Sequence, residues 1–158
     1  FGVNKYDFTI SRAPNLIFFV VNANIPSVDF GVSTQPTPFK NVSIPGDNLE
    51  YGSFELSFRI DENMTNYTEI LNWMTGLGFP DNFNQRKELE ESRYGLTSDC
   101  TLLINTSKHN SAIAVTYEDA FPISLSSITF SSESTDLDYI TADVTFAFTK
   151  FSLKRITL

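Results

Sequence analysis

The chain has 158 residues, and a chain of this length can bury roughly two-thirds of the surface that it exposes when unfolded, so its core requires no disulfide or metal. Hydrophobic residues make up 41% and charged residues only 19%, against about 25% charged in typical domains. The net charge of −8 repels phosphate, which disfavours conventional nucleic-acid binding through a basic surface.

Cysteine content and hydropathy exclude two further classes of protein. Cys100 is the only cysteine, so no disulfide can form within the chain, and its apolar neighbours predict a buried side chain. The longest apolar run, residues 16–21, is too short to span a bilayer, and residues 1–4 lack the layout of a signal peptide. We therefore expect no membrane association.

The N-terminal third predicts strands separated by turns. Residues 16–24 are rich in aromatic and β-branched side chains without polar alternation, which predicts a strand buried on both faces and ended by Pro26. Four segments follow in order: a strand at 28–32, a turn-rich connection at 33–38, a strand at 39–44 and a turn at 45–48.

Strict alternation then marks residues 51–60 as a strand with one packed and one solvated face. The apolar set is Phe54, Leu56, Phe58 and Ile60; the polar set is Ser53, Glu55, Ser57 and Arg59. A helix follows, with Asp61 or Thr65 as its predicted cap and glycines at 76 and 78 as its end. The polar segment 81–98 predicts a solvated loop or a short helix.

The C-terminal half predicts antiparallel strands. Residues 99–105 and 112–117 form a hairpin through the turn 106–110, and a strand at 122–130 precedes a long alternating strand at 139–151. The polar face of that last strand carries Thr141, Asp143, Thr145 and Thr149. The pattern predicts a mainly β fold, an antiparallel sandwich or barrel with one flanking helix, as a single domain over residues 1–158.

Residues suited to catalysis are scarce. His109 is the only histidine and lies in a predicted turn, and with Cys100 it falls well short of a zinc site. Neighbouring carboxylates such as Glu90 and Glu91 have nothing that marks them as a glycosidase pair. We predict no enzymatic activity, no metal and no cofactor.

Four segments carry a resemblance to a known family: residues 54–61, residues 66–67 with Trp73, residues 114–127, and residues 141–148. Their order resembles that of the tail-tube proteins of contractile-tailed bacteriophages, especially the T-even-type tube and baseplate tube-initiator proteins. The resemblance covers roughly residues 14–150, nearly the whole chain. The sequence lacks the large N-terminal region of the initiator proteins, which favours a simple tube ring.

The resemblance implies a structural virion protein. Six copies would join their sheets edge to edge into a ring, rings would stack into a tube, and DNA would pass through the lumen without sequence-specific binding. Implied partners are further copies and the tail sheath, baseplate and tail-terminator proteins. The implied location is the virion tail, after assembly in the host cytoplasm. Closure into a ring would also satisfy strand edges that are otherwise an aggregation risk.

The resemblance also implies which surfaces matter. Candidate lumen-lining residues, whose polar faces would repel DNA phosphates, are Ser53, Glu55, Ser57, Arg59, Thr141, Asp143, Thr145 and Thr149. The alternative is that these faces are simply the solvated exterior. Candidate inter-ring contacts are Val32, Thr37, Phe39, Arg86 and Glu90. The C-terminal cations Lys150, Lys154 and Arg155 either pair with acidic groups of a neighbouring subunit or are solvated.

Three alternatives stay open. A baseplate tube-initiator, adaptor or tail-terminator ring would share the fold but make two unlike ring contacts. The tube of a bacterial contractile injection system would carry protein cargo instead of DNA. A monomeric carbohydrate-binding β-sandwich would use exposed aromatic side chains, such as Tyr94 or Phe83, as stacking platforms.

Overall fold

A computed structural model describes residues 6–17, 19–78, 83–91, 95–105, 111–130 and 139–156. The predicted turn with His109, and Tyr94, lie outside the described residues. The strands are β1 (Tyr6–Ile10), β2 (Val20–Ala23), β3 (Val28–Pro36), β4 (Asn41–Tyr51), β5 (Phe54–Arg59), β6 (Ser98–Asn105), β7 (Ser111–Leu125), β8 (Thr141–Ala147) and β9 (Lys150–Arg155). The helices are α1 (Pro14–Ile17), α2 (Thr65–Leu77) and α3 (Phe83–Glu91). The mainly β, antiparallel prediction is confirmed.

The longest strand, β7, takes part in two sheet surfaces. Its N-terminal part runs between β6 and β9, and its C-terminal part pairs with β8. Glu118 faces Lys150 and Phe121 faces Ala147, so β8 and β9 pair with β7 in one register on both sides of a corner. We call β7 together with β8 and β9, which pair with it on either side of the corner, the ribbon. Beyond it, β6 and β1 extend one sheet surface, and β5 and β2 extend the other.

The corner of the ribbon is fixed by backbone geometry at Asp119. This residue has a φ of 55°, in the left-handed region that Asp tolerates better than most residues. Its N–H donates to the Asp99 carboxylate at 3.1 Å. On the opposite strand, the Thr149 N–H donates to the Glu118 carbonyl at 3.0 Å. The corner therefore keeps its hydrogen bonds while the ribbon changes direction.

The core lies between the two sheet surfaces and is closed by α2. Tyr117 stacks on Phe54, with ring centroids 4.4 Å apart. From α2, Ile70 and Trp73 are buried in the same cluster, and the Trp73 indole N–H donates to the Leu96 carbonyl at 2.9 Å. The prediction that Cys100 is buried is confirmed. Within the described residues, no helix is long and apolar enough to cross a membrane.

The alternating faces predicted for β5 and β8 are confirmed. Their buried side chains are Phe54, Leu56, Phe58, Ala142, Val144 and Phe146. Phe54 faces Phe146 and Leu56 faces Val144 across the pair, so the two apolar faces form one surface against the core. This pairing gives the two strands a common polar face on the other side.

The prediction of one strand over residues 16–24, buried on both faces, is wrong. Pro14 begins the short helix α1, as expected for a residue that fits the first helical turn, and only Val20–Ala23 form a strand. Among the described residues that strand pairs only with β5, and Val21 and Asn22 are exposed. The apolar run therefore reflects an edge strand and a helix, not a central strand.

The predicted turns at 33–38 and 45–48 are wrong in their bounds. Most of these residues belong to β3 and β4, which pair with each other in a separate two-stranded sheet. We call this hairpin, Val28–Tyr51, the arm. The turn is confined to its tip, where the Thr37 N–H donates to the Lys40 carbonyl at 3.2 Å. The arm packs against the body chiefly at its root, where the ring centroids of Tyr51 and Phe151 are 5.4 Å apart.

An irregular bulge interrupts the arm at its middle, where one residue of β3 is opposed by three residues of β4. Phe30 faces Leu49, yet two positions further Val32 faces Pro45, so Gly31 alone is opposed by residues 46–48. The backbones approach closely there, because a Cβ on Gly46 would lie 2.5 Å from the Gly31 carbonyl oxygen. Only glycine fits at position 46, and turn-like residues in 45–48 serve this bulge.

Three other predictions also need correction. The residue before α2 is Met64 in a left-handed conformation, with no side-chain cap, so neither Asp61 nor Thr65 caps the helix. The long strand at 139–151 is divided by the ribbon corner into β8 and β9. The strand predicted at 122–130 ends at Leu125, as the last part of β7. For residues 83–91, the short-helix alternative is confirmed.

Asn66 takes over the role of the missing cap. Its side chain is fully buried, and its amide nitrogen donates to the Arg59 carbonyl at 2.7 Å. Its amide oxygen accepts from the Tyr67 N–H at 2.9 Å and from the Asp61 N–H at 3.4 Å. One side chain thus ties the end of β5 to the start of α2.

We expect Asn66→Ala to lower the free energy of unfolding by about 1–3 kcal/mol, because it leaves buried backbone groups unpaired. Asn63→Ala, at an exposed position beside the same helix start, is the matched control and should change it by less than about 0.5 kcal/mol. Urea denaturation of unassembled protein measures both. Equal stability of the two variants would contradict the role given to Asn66.

We expect Gly46→Val to disturb the arm without unfolding the body, because the new side chain meets the Gly31 backbone and the arm contacts the body chiefly at its root. Amide NMR shifts should change throughout the arm and stay constant in β5 and β8. Ser43→Val, in the same strand at an exposed position, is the control and should leave most arm shifts in place. Unchanged arm shifts in Gly46→Val would show that the bulge tolerates a side chain.

Candidate functional site

The polar side chains of β5 and β8 form one continuous surface, which we call the polar face. The register places Glu55 opposite Thr145, Ser57 opposite Asp143, and Arg59 opposite Thr141. Six of the eight candidate lumen residues are therefore cross-strand neighbours on one side of a sheet. Their assignment to a lumen stays a prediction.

The remaining two candidates lie beside the polar face. Ser53 immediately precedes β5 and is exposed, and its carbonyl accepts a hydrogen bond from the Asn24 amide at 3.4 Å. Thr149 is exposed at the ribbon corner between β8 and β9, where its N–H bonds to Glu118. It therefore lies at the boundary of the polar face.

The electrostatics of the polar face are dominated by carboxylates. Glu55 and Asp143 are both exposed, and the Ser57 hydroxyl donates to the Asp143 carboxylate. The one cation, Arg59, has its guanidinium carbon 4.4 Å from the centre of the Tyr139 ring. A cation held against an aromatic face is less available to an approaching phosphate. The surface is therefore hydrogen-bonding, mildly acidic and poorly suited to holding a polyanion.

Open strand edges surround the body. In the described residues, β1 pairs only with β6, β2 only with β5, and β9 only with β7. The last residues of β7 pair with β8 on one side alone. A strand that pairs on one side presents unpaired N–H and C=O groups on the other, and these invite another strand.

The arm exposes apolar side chains to an unusual degree. Phe39 at the tip is 100% exposed and Val32 is 65% exposed. Others that share this exposure are Val28, Phe30, Val42, Ile44 and Leu49. Exposed apolar side chains in this number on one hairpin are typical of an interaction site.

The arm leaves the body at a fixed position. The Asn24 amide oxygen accepts from the Glu55 N–H at 2.7 Å, and the Asn24 carbonyl accepts from the Tyr117 hydroxyl at 3.2 Å. Nearby, the Gly52 N–H donates to the Ser27 carbonyl at 2.9 Å. Burial raises the pKa of Tyr117 above its usual value, so this hydroxyl stays a donor in alkaline solution as well as at neutral pH. The root of the arm is thereby tied to β5 and β7.

The candidate inter-ring residues fall on two elements. Val32, Thr37 and Phe39 lie on the outer half and tip of the arm. Arg86 and Glu90 lie on α3, where the guanidinium nitrogen and the carboxylate are 3.1 Å apart. The structure does not bring these two groups into a single site, and their role stays a prediction.

The groups that could carry chemistry are poorly placed for it. Burial raises the pKa of the Cys100 thiol, so this sulfur is neither accessible nor a ready nucleophile. Among the described residues, no three His, Cys, Asp or Glu side chains come together as metal ligands. The described chain thus offers surfaces for assembly. Strand edges in need of partners were expected from the sequence, and three residues of the arm were among the expected contacts. The sequence did not show which strands form the edges, nor that residues 28–51 form one projecting hairpin.

Comparisons with known proteins agree with this geometry. The structure of a tube-terminating cap of the anti-feeding prophage superposes with a TM-score of 0.63, at 12% identity, covering 98% of this chain and 91% of that chain. A sheath/tube terminator of the extracellular contractile injection system PVC gives a TM-score of 0.62 at 13% identity, with 98% and 96% covered. Hcp1 from Flavobacterium johnsoniae gives 0.52 at 15% identity, with 94% of each chain covered.

The likeness to these structures shows a shared fold, of the type that the resemblance implied. The sequence matches no curated protein. The family model for phage tail tube proteins matches residues 2–154, nearly the whole chain. This chain therefore belongs to the phage tail tube protein family.

Proposed function

We propose that the chain is a structural subunit of a phage tail tube, in which six copies form a ring and rings stack into a DNA-conducting cylinder. Each copy would be one domain over its 158 residues. Family membership supports a tube component. The observation that carries the ring is the set of open strand edges at β1, β2, β9 and the end of β7.

Edge-to-edge joining gives these edges their missing partners. Backbone groups of one copy would complete the ladder of the next, and cyclic closure would leave no edge open. Apolar side chains on the arm, such as Val32 and Phe39, would then be covered by a neighbouring ring. Arg86 and Glu90 on α3 are the second proposed contact between rings.

The polar face is proposed to line the lumen. DNA carries about one negative charge per 1.7 Å of its axis, so a wall that attracted phosphate would hold it at many points. The exposed carboxylates of Glu55 and Asp143 oppose such adhesion, and Arg59 is engaged by Tyr139. The neighbouring hydroxyls keep the wall hydrated, which favours passage without sequence-specific binding.

A second candidate function is a ring that ends the tube. Two of the similar structures come from a tube-terminating cap and a sheath/tube terminator, which favours this alternative over a monomeric binding module. Such a ring would share the hexameric closure but meet an unlike partner on one side. Proposed partners of either ring are the tail sheath, baseplate and terminator proteins, in a virion tail assembled in the host cytoplasm.

The function is proposed to be wholly structural, without catalysis or a cofactor. A family of tube proteins supports this, as does the burial of the Cys100 thiol. The aromatic platforms of the carbohydrate-binding alternative, Tyr94 and the Phe83 side chain, lie outside the described residues.

Electron microscopy of the purified chain tests the ring directly. We expect six-fold rings or stacked tubes with a central bore, because edges and arm both need partners of the same kind. A monodisperse monomer over a wide range of concentration and salt would contradict the proposal.

Charge reversal in the polar face tests the lumen. We expect Glu55→Lys and Asp143→Lys to permit assembly but slow DNA release, since the new cations would hold phosphates. Glu62→Lys, an exposed position outside the sheet, makes the same charge change and should leave release unaffected. Normal ejection kinetics for both polar-face variants in assembled tails would reject the lumen assignment.

A further inference from the structure

The open edge of β9 carries three cations, and only one of them has an acidic partner among the described residues. Lys150 pairs with Glu118, with 3.3 Å between the charged atoms. Lys154 and Arg155 at the end of the strand are exposed and form no salt bridge within the described residues. Leu153, which belongs to the same strand, is 56% exposed. The edge therefore combines unpaired backbone groups, unpaired positive charge and an uncovered apolar side chain.

The two sides of this edge differ chemically. Leu153 faces the buried Val115 across the ladder, so it lies on the core side of the sheet. Lys154 faces Ala114 and points to the opposite side, because successive residues of a strand alternate. A strand added here must offer an apolar side chain on one face and an acidic side chain on the other.

The inner half of the arm has this character. Val28 faces Tyr51 and Phe30 faces Leu49 on one side of the hairpin. On the other side Asp29 faces Glu50, and both carboxylates are exposed. Like charges that face each other across a ladder are destabilising unless a cation lies nearby. Glu50 accepts a hydrogen bond from the neutral Asn48 amide at 3.0 Å, but in the described part of the chain neither carboxylate has a cationic partner within salt-bridge distance.

The other open edges do not match β9. The strand β2 and the last residues of β7, 121–125, contain no charged side chain. In β1 the one carboxylate, Asp7, faces Leu103 and not a second acidic residue. Among the described strand edges, the arm alone joins paired acidic residues to exposed apolar ones.

We propose that the arm of a second copy lies along the open edge of β9 and extends its sheet. Lys154 then meets the acidic side formed by Asp29 and Glu50, and Leu153 meets the apolar side formed by Phe30 and Leu49. Arg155 adds positive charge at the strand end. The inference rests on the proposed self-assembly and names the contact that carries it, with a second copy of this chain as the partner.

Charge exchange tests this pairing. Lys154→Glu, and separately Asp29→Lys with Glu50→Lys, should each raise the concentration needed for assembly by about tenfold or more, because like charges then meet at every interface. Combining all three substitutions in one chain should restore assembly, since attraction returns with reversed sign. Sedimentation velocity measures assembly, and circular dichroism confirms that each variant is folded.

Glu62→Lys is the control, because it reverses one charge at an exposed position outside the sheets, the arm and α3. It should assemble as the unmodified chain does. If the unmodified chain assembles and the β9 and arm variants assemble equally well, or if the triple variant is not restored, the arm contact is overturned while the ring stands. If the unmodified chain never assembles, both proposals are overturned.

Discussion

The bent ribbon of β7 with β8 and β9 is the constraint on which the rest of the structure depends. Because one register continues around the corner at Asp119, the two sheet surfaces are held at a fixed angle by backbone hydrogen bonds. Tyr117 and Phe146 project from the ribbon into the space between them, and α2 closes that space. The same geometry ends each sheet surface in a strand that, among the described residues, pairs on one side only.

Those open edges and the arm leave backbone groups and apolar side chains exposed on the single chain. The body commits its apolar residues to its own core, whereas the arm buries almost none of its own. The arm is nevertheless anchored, because Asn24 links its root to β5 and to Tyr117. A subunit with a rigid core, open edges and an anchored projecting hairpin is suited to joining copies of itself with defined geometry. The polar face, on strands already paired on both sides, is left exposed to solvent.

Much of the body could be predicted from the sequence, whereas the arm and the positions of the open edges could not. Alternation identified the core and polar faces of β5 and β8, because one face of each strand is buried. For the arm, the sequence predicts short strands and turns instead of one long hairpin. Most of the hairpin is exposed and so has no burial pattern, and its bulge contains the turn-like residues Pro45 and Gly46. The apolar run at 16–24 predicts one strand but contains the end of a helix and an edge strand, because a short apolar run does not distinguish between them. Which strands form the open edges could not be predicted, because any residue except proline can offer its backbone to a ladder.

Amide hydrogen exchange, compared between unassembled and assembled protein, most directly tests whether copies complete these edges. If they do, amides of β2, β9 and residues 121–125 will exchange much more slowly after assembly, while those of β5 and β8 will remain equally protected in both states. Unchanged exchange along every edge strand in assembled particles would contradict edge-to-edge joining.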